Sequence, residues 1–323
     1  MLTLAMPTPA LMPFRAAMLA DPDTMAYNAP FAPPDGVIAF PESAWDAWLT
    51  RWAAPSAERF CAYVLDDGTP VGEVCWHDGG RGMGVVIAAA FRGHGYGTKA
   101  LALLAEQAFD VYELPRLVNT FEVGRDDAMA MHVHAGFIVA DDDDGLATLV
   151  LTRETWQARR RDRWVREVYD AMCAYETQVP ERIHHFVKVH SFARQIAQHE
   201  GFMPEALFTM EIAALTHDIG IKPALATLGN CAGPHQERLG PPEAVALLAP
   251  LGLPQAVIDR VCFLIAHHHT VTGVDSPDWQ ILLEADYLVN MIENGASPAA
   301  IDMCRDTVFR TAEGLRLLAQ IRP

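Results

Sequence analysis

The chain has 323 residues, of which 51% are hydrophobic and 20% charged. This composition excludes an intrinsically disordered or fibrous protein, and the length is roughly twice a single-domain length of ~150 residues. Asp and Glu (41) outnumber Lys and Arg (24), for a formal net charge of −17. Such acidity argues against a general nucleic-acid binder, because phosphate attraction requires clustered cations. Six dispersed cysteines without a CxxC pair are typical of reduced thiols, not of a zinc ribbon or a disulfide scaffold.

The N-terminal segment MLTLAMPTPALMPF is apolar, but it lacks a basic flank and is interrupted by Pro7, Pro9 and Pro13. We therefore expect no secretory signal there. No stretch reaches the ~18 apolar residues that a membrane span requires. The sequence predicts a cytoplasmic protein that acts on small molecules, without a nucleic-acid or membrane partner. A homodimer is a possible assembly.

Histidine content divides the chain into two halves. Four of the thirteen histidines lie in residues 1–157, and the other nine lie between His184 and His269. The first half has a net charge of −12 and the remainder −5. In the first half, short apolar runs alternate with turns, which predicts a mixed α/β fold with strands at FCAYVL, VGEVCW, GVVIAAAF, RLVNTFEV, FIVA and ATLVLT.

From about Glu154 onward the pattern is that of continuous helices separated by Gly and Pro, with no convincing strand. We therefore predict two domains: an α/β domain over residues 1–155 and an all-α domain over residues 156–323. The boundary is expected within residues 153–165, at the arginine-rich stretch ARRRDRW.

A glycine-rich loop is the most informative feature of the first half. An apolar strand at residues 85–88 runs into Arg92-Gly93-His94-Gly95-Tyr96-Gly97, and an Ala/Leu-rich helix follows directly. Alternate glycines let the backbone turn tightly and direct its N–H groups at one anion, and the helix dipole adds positive potential. This predicts a cradle for a pyrophosphate. A loop that merely connects a strand to a helix is the alternative for a lone glycine pattern.

Residues 10–153 resemble the GNAT acyltransferase superfamily, whose acetyl-CoA signature is Arg/Gln-x-x-Gly-x-Gly between a strand and a helix. Arg92, Gly95 and Gly97 match that signature, and DGTPVGEVCW and DDAMAMHVHAGFIVA match the flanking strands and helix. The resemblance implies a GNAT-like mixed sheet with flanking helices and transfer of an acetyl group from acetyl-CoA to a small amine. The cofactor-binding residues that it implies are Val86, Arg92, Gly93, His94, Gly95, Tyr96 and Gly97.

The catalytic positions depart from the family pattern. In many members a tyrosine, four residues before the glycine of the Gly-Phe pair, protonates the departing CoA thiolate; here that position is His132. Histidine can also act as a general acid. The candidate bases are Glu73, which we favour, and Glu122, although either could be an ordinary strand residue. Alternatively, this half senses acetyl-CoA without turning it over and regulates the other half.

The charge of the first half also bears on binding. An acidic surface cannot attract anionic CoA, so Arg92 and the backbone N–H groups are expected to bind it locally. A cationic acceptor amine would be drawn to the same surface.

In the second half, three helical patterns each place a potential ligand on an apolar face. His185 lies on the apolar stripe of its helix, whereas His184 lies on the solvated one. His217, with Asp218 beside it, and Asp286 lie on the buried stripes of two further helices. A lone inward histidine is usually a hydrogen-bonded core residue. Buried charge is costly unless it is paired or bound to metal, so the combination predicts a metal site.

These residues, with His217 and Asp218 inside HDIG and Asp286 inside ADYLVN, resemble the HD superfamily of helical metal-dependent phosphohydrolases over residues 165–320. The resemblance implies a helical bundle with His185, His217, Asp218 and Asp286 as ligands, and hydrolysis of a small phosphorylated or nucleotide-like substrate. Asp218 is also the candidate group that positions the attacking water. No GYP string follows, so a cyclic-dinucleotide enzyme is not expected.

Further histidines could hold a second ion, as in some members of that superfamily. His235 stands at a predicted helix start, and His268, at the end of AVIDRVCFLIAHHH, lies on the apolar stripe, with His267 or His269 beside it. Lys222, just beyond HDIG, is a candidate phosphate contact or an ordinary surface lysine, and Gly220 is expected to cap the preceding helix.

Ligation by nitrogen and oxygen alone suits one or two ions of Mn²⁺, Fe²⁺, Zn²⁺, Co²⁺ or Mg²⁺. A minority of HD proteins with extra histidines hold two irons and are oxygenases. A diiron oxygenase is therefore the alternative for this half.

Overall fold

The computed structural model describes residues 2–52, 54–143 and 145–321. The chain divides into two compact units, Met1–Arg159 and Arg160–Pro323, and the division falls inside a helix. The first unit contains all of the strands in the described residues, and the second is helical. The two-domain arrangement and both predicted fold classes are confirmed.

The first unit contains two antiparallel sheets. Their strands are β1 (Leu2–Ala5), β2 (Phe60–Asp66), β3 (Thr69–His77), β4 (Gly82–Ile87), β5 (Arg116–Glu122), β6 (Ile138–Asp143) and β7 (Leu146–Thr152). The sheet orders are β1-β2-β3-β4 and β5-β7-β6. In the part of the chain that the structure describes, β4 and β5 share no hydrogen-bonded ladder, so the two sheets separate between them.

Strand β1 was not predicted. It lies in the proline-interrupted N-terminal segment and pairs with β2 in the register Leu2↔Asp66 to Ala5↔Tyr63. Four residues carry too little alternation to indicate a strand. This segment is a strand because its backbone pairs with β2, a contact that the local pattern does not report.

The described residues of the first unit also form the α-helices α1 (Met12–Ala20), α2 (Pro22–Met25), α3 (Trp45–Trp52), α4 (Tyr96–Glu106) and α5 (Asp126–Ala135). Alternate residues of β3, Val74 and Trp76, are fully buried in the same core as Leu101 and Leu104 of α4. The glycine-rich loop is therefore fixed between a core strand and a core helix.

The described residues of the second unit form helices. They are α6 (Arg153–Tyr175), α7 (Pro180–His199), α8 (Pro204–Thr216), α9 (Ile221–Leu228), α10 (Gly233–Leu248), α11 (Gln255–Ile265), α12 (Pro277–Glu293), α13 (Pro298–Thr307) and α14 (Ala312–Ile321). The first of them, α6, begins in the first unit. Helices α7, α8 and α12 each begin with a proline, whose fixed φ and missing N–H suit the first helical position. Helix α7 packs against both α8 and α12, which brings their apolar stripes into one core.

None of the described helices combines the length and the apolarity needed to span a membrane.

Gly220 does not cap a helix in the predicted way. Its φ is −71°, in the right-handed region, so the position does not require the left-handed conformation of a glycine cap. A Cβ built on Gly220 would overlap the carbonyl oxygen of Gln236 and lie 2.9 Å from its Cα. Glycine is needed here because the backbone of α10 approaches the turn that follows Asp218.

We expect Gly220→Ala to destabilise the second unit by about 1–3 kcal/mol, the usual cost of forcing extra atoms into a packed site. Urea unfolding of the full chain, followed by tryptophan fluorescence, measures this change. Ala226→Ser is the control, since it adds one atom at an exposed position of α9 and should change stability by less than about 0.5 kcal/mol. Equal stability of Gly220→Ala and wild type would contradict the close-approach explanation.

Candidate functional site

Four side chains from α7, α12 and the turn after α8 meet in the second unit. His185 Nε2 lies 3.3 Å from His217 Nε2 and 3.1 Å from Asp286 Oδ1. Asp218 Oδ2 lies 3.5 Å from the Nε2 atoms of both histidines, and His217 Nε2 lies 3.5 Å from Asp286 Oδ1. The structure thus brings together the four residues that the sequence identified as core ligands.

The ring orientation of these histidines is determined by their other nitrogen. His217 Nδ1 lies 2.8 Å from the carbonyl oxygen of Ala214, and His185 Nδ1 lies 2.9 Å from Glu293 Oε2. Since those oxygens accept, each Nδ1 carries a hydrogen and each Nε2 faces the shared centre. Asp286 is oriented in the same way, because Asn290 Nδ2 donates to its Oδ1 at 2.8 Å.

Without an ion, the carboxylates raise the pKa of His185 and His268 against the opposing effect of burial, which favours protons on these two histidines. Burial opposes protonation of His185, but its hydrogen bond to Asp286 and the nearby charge of Asp218 raise its pKa to about 9. Burial likewise opposes ionisation of the two carboxyls, yet the facing histidines hold the pKa of Asp218 at about 2 and that of Asp286 well below its usual range. A cation could occupy the place of those protons.

A second group of potential ligands shares Asp218. His268 Nε2 lies 3.4 Å from Asp218 Oδ1, and its Nδ1 lies 2.7 Å from the carbonyl oxygen of Ile265. The rings of His268 and His269 have centroids 4.0 Å apart. The potential ligand atoms of Asp218, His268 and His269 all lie within 4.8 Å of one another.

The donor set fits a divalent ion. His268 Nε2 has only the 3.4 Å approach to Asp218 Oδ1, and the buried Nε2 of His269 has no hydrogen-bond partner in the described residues. Such an unpaired buried nitrogen is rare and calls for an unseen partner. In the first group, the donor atoms are separated by 3.1–3.5 Å, close to the ~3 Å that separates neighbouring ligands when each lies about 2.1 Å from one ion.

Three other residues considered from the sequence lie outside both groups. His235 Nδ1 lies 2.8 Å from Asn230 Oδ1. Lys222 Nζ donates to the carbonyl oxygen of Tyr175 at 2.9 Å and lies 4.5 Å from the centroid of its ring, so the geometry does not support a phosphate contact. His267 packs against the rings of Phe263 and Trp279, which favours His269 over His267 as the neighbour of His268 in this group.

Glu293 was not singled out in the sequence, and it should govern ion affinity through His185. Replacing it with Ala frees the His185 ring, so we expect the affinity for Mn²⁺ to fall by about 10–100-fold. Lys188→Ala is the control and should lower the affinity less, because Lys188 Nζ donates to the other oxygen of Glu293, at 2.9 Å, and leaves the one that faces His185 in place. Calorimetric titration with Mn²⁺ measures both, and a larger effect of Lys188→Ala would contradict this role for Glu293.

The first unit contains a cleft of about 1000 Å³ beside β4, between the glycine-rich loop and the start of α5. Its lining includes Val86 and five of the six predicted loop residues, namely Arg92, Gly93, Gly95, Tyr96 and Gly97. Gly93 and Gly95 have φ of 82° and 74°, a left-handed conformation that favours glycine. The remaining loop residue, His94, is exposed outside this lining, and its Nδ1 lies 3.0 Å from Arg92 O.

Arg92 lies at the cleft, but its guanidinium is engaged by the protein. It donates to the carbonyl oxygens of Asp23 at 3.0 Å, Thr24 at 2.7 Å and Ile87 at 3.2 Å. These bonds attach α2 to the end of β4. The side chain of Arg92 therefore positions the wall of the cleft, which differs from the predicted direct contact with a phosphate.

His132 does not lie in the lining of the cleft. It is 2% exposed, with Nε2 2.9 Å from Asn119 Nδ2 and Nδ1 2.8 Å from the carbonyl oxygen of Ala128. Burial lowers its pKa, so the ring is neutral at pH 7. The geometry does not support the predicted general acid, because both ring nitrogens are occupied within the core.

Glu73 is also buried away from the lining of the cleft. Its Oε2 accepts from Arg15 Nε at 2.8 Å. Burial raises the pKa of Glu73 while Arg15 opposes that shift. Of the two candidate bases, only Glu122 lines the cleft. The geometry therefore favours Glu122 over the predicted Glu73.

Tyr27 and Arg125 are among the cleft residues that the sequence did not identify. Burial raises the pKa of the Tyr27 phenol, so it is protonated at neutral pH. The Arg125 guanidinium carbon lies 5.0 Å from the centroid of the Tyr27 ring. A single tyrosine in a proline-rich segment and a single arginine after a strand give no pattern that marks them as site residues.

Comparison with known proteins agrees with both predicted domain types. The family model for the acetyltransferase (GNAT) domain matches residues 2–138, and that for the HD domain matches residues 182–291. The chain thus combines a GNAT acetyltransferase domain with an HD domain. No curated protein matches it.

Solved structures similar to the chain include a spermidine N-acetyltransferase from Vibrio cholerae in complex with CoA and spermine. It is 14% identical with a TM-score of 0.42, over 48% of this chain and 98% of that one. A probable acetyltransferase is 23% identical with a TM-score of 0.40, over 48% of this chain and 94% of that one.

Proposed function

We propose that the second unit is a divalent-metal-dependent phosphohydrolase acting on a small phosphorylated or nucleotide-like substrate. The observation that carries this proposal is the convergence of His185, His217, Asp218 and Asp286, whose facing donor atoms lie within 3.5 Å of their neighbours. An ion bound there supplies Lewis-acid chemistry toward a phosphate ester and water of lowered pKa.

The protein groups have separate tasks in this reaction. Asp218 directs Oδ2 toward His185 and His217 and Oδ1 toward His268, so its carboxylate connects the two ligand groups. An ionised carboxylate in that position can orient an attacking water and accept its proton. Glu293 and Asn290 keep the ligands in place through the hydrogen bonds described above.

A panel of phosphomonoesters, phosphodiesters and nucleotides, assayed with added Mn²⁺, Ni²⁺ or Mg²⁺, tests this activity. We expect turnover of at least one substrate by the wild type, and its loss in His217→Ala. Wild-type protein that is purified without bound metal and turns over no substrate even with the added ions would contradict the proposal. Circular dichroism of the variant separates loss of activity from loss of fold.

The second ligand group also favours another candidate function, a diiron oxygenase. The shared Asp218, His268 beside it and the unpaired Nε2 of His269 provide donors for a second ion. Oxygen consumption and a mixed-valent iron signal, in protein purified without air, would support the oxygenase. Phosphoester turnover without either observation would exclude it.

For the first unit, we propose acetyl transfer from acetyl-CoA to a small amine bound at the cleft. The glycine-rich loop at the start of α4 supplies backbone N–H groups for phosphate. Glu122 takes a proton from the acceptor ammonium, and the free amine then attacks the thioester carbonyl. As the C–S bond breaks, Tyr27, which replaces His132 in this role, donates a proton to the departing thiolate, and the tyrosinate regains a proton as the new amide nitrogen loses its extra one.

Calorimetry with acetyl-CoA, followed by transfer assays on a panel of amines, tests this half. We expect binding and transfer by the wild type, and Tyr27→Phe should bind the cofactor but transfer more slowly. Binding without transfer to any amine would instead support an acetyl-CoA sensor. Absence of binding would contradict both.

A further inference from the structure

The cleft of the first unit is lined by two cationic side chains, Arg92 and Arg125. Three backbone carbonyl oxygens already accept hydrogen bonds from the guanidinium of Arg92. Arg125 differs, because within residues 2–52, 54–143 and 145–321 its guanidinium has neither a hydrogen-bond acceptor nor an ion-pair partner. Arg125 is therefore the cation of the cleft wall whose donors are available to a ligand.

Aromatic rings hold Arg125 in place. Its guanidinium carbon lies 5.0 Å from the centroid of the Tyr27 ring and 5.5 Å from that of the Phe121 ring. Contacts of this kind stabilise a guanidinium through its flat face, and its five N–H donors lie in the plane at the edge. Arg125 is thus positioned by its neighbours without using its hydrogen-bonding capacity.

Three carboxylates, those of Glu122, Asp126 and Asp127, also line the cleft, but the burial of Arg125 and its lack of an acceptor in the described residues favour an anionic ligand at this side chain. The side chain is half-buried, and burial together with the charge of Arg92 lowers its pKa, although an arginine remains charged at neutral pH. A half-buried cation without an acceptor is costly, and a bound anion would remove that cost. Glu122 acts on Arg125 only at longer range, without an ion pair.

We propose that Arg125, and not Arg92, is the side chain that binds a phosphate of the acyl-CoA cofactor. This inference rests on the proposed acetyltransferase function. Arg125 lines the same cleft as the glycine-rich loop, so one polyphosphate can contact the backbone N–H groups and the guanidinium together. A cationic acceptor amine would be repelled by Arg125, which argues against that group as its ligand.

The test is calorimetric titration of the full-length chain with acetyl-CoA at several salt concentrations. Arg125→Ala should weaken binding by about 10–100-fold, the equivalent of one charge-assisted hydrogen-bonded contact. It should also flatten the dependence of affinity on salt, because one ionic contact is lost. Arg125→Lys should retain most of the salt dependence, since the positive charge is kept.

Arg81→Ala, an exposed arginine outside the cleft lining, is the matched control and should bind like the wild type. Thermal unfolding of each variant verifies that the first unit is folded. Arg125→Ala with wild-type affinity for acetyl-CoA would overturn the proposal, and a raised KM for the acceptor would then assign Arg125 to that substrate. Weaker binding with unchanged salt dependence would also overturn it. Failure of the wild type to bind acetyl-CoA would instead reject the proposed acetyltransferase.

Discussion

Asp218→Ala is expected to abolish ion binding at both ligand groups of the second unit. Its two carboxylate oxygens face different histidines, so no other single residue belongs to both groups. Loss of a hydrogen bond behind a ligand already costs about 10–100-fold in affinity, so loss of Asp218 itself should cost more than about 100-fold. Equilibrium dialysis against Mn²⁺, with elemental analysis of the protein, measures the ions retained per chain.

Single-group variants provide the matched controls. His269→Ala removes a ligand of the second group only, and Asp286→Ala removes a ligand of the first group only. Each of these two variants should retain one ion per chain. The wild type should retain two, and Asp218→Ala should retain none. Retention of an ion by Asp218→Ala, or identical results for all three variants, would contradict a shared carboxylate. Circular dichroism confirms that the variants are folded.

Glu284→Ala should be among the most destabilising substitutions in the second unit. Glu284 is fully buried, and its Oε1 accepts from Gln280 Nε2 at 2.8 Å, Arg310 N at 2.6 Å and Thr311 N at 2.9 Å. Thr311 Oγ1 donates to the other oxygen. Removing the carboxylate leaves two backbone N–H groups without an acceptor, and each unsatisfied N–H group costs about 1–3 kcal/mol of stability.

We therefore expect a loss of about 3–5 kcal/mol in the free energy of unfolding, including the cavity left by the side chain. The unfolding transition of the second unit in urea measures it. Glu205→Ala is the control, because Glu205 forms an exposed ion pair with Arg161 at 2.9 Å and should contribute no more than about 1 kcal/mol. A similar cost for the two variants would contradict the assigned role of Glu284.

The convergence of the four candidate ligands could be predicted from the sequence because the signal is both chemical and periodic. His185 and Asp286 interrupt apolar helical stripes, and a buried charged group requires a partner. Helix packing then needs only to bring those stripes together, as α7 does with α8 and α12.

The second group could be predicted only in part. The stripe of α11 identified His268, but the helix ends at Ile265, and the turn that follows has no helical period. The choice between His267 and His269 therefore depended on tertiary contacts, namely the packing of His267 on Phe263 and Trp279.

The first unit shows where motif spacing stops being informative. The glycine-rich loop was located correctly, because left-handed residues and a strand-to-helix turn are local properties. The direction of the Arg92 guanidinium depends on carbonyl oxygens of Asp23 and Thr24, which are almost 70 positions earlier in the chain. No local pattern reports such a contact, and the same holds for the burial of His132.

Anomalous X-ray scattering from crystals of the Mn²⁺-loaded full chain, recorded at the manganese edge, tests the metal centre most directly. We expect one peak enclosed by the ligand atoms of His185, His217, Asp218 and Asp286, and a second between Asp218, His268 and His269. Absence of a peak at the first position in Mn²⁺-loaded crystals, or ions bound only elsewhere on the chain, would contradict the proposed metal-dependent phosphohydrolase.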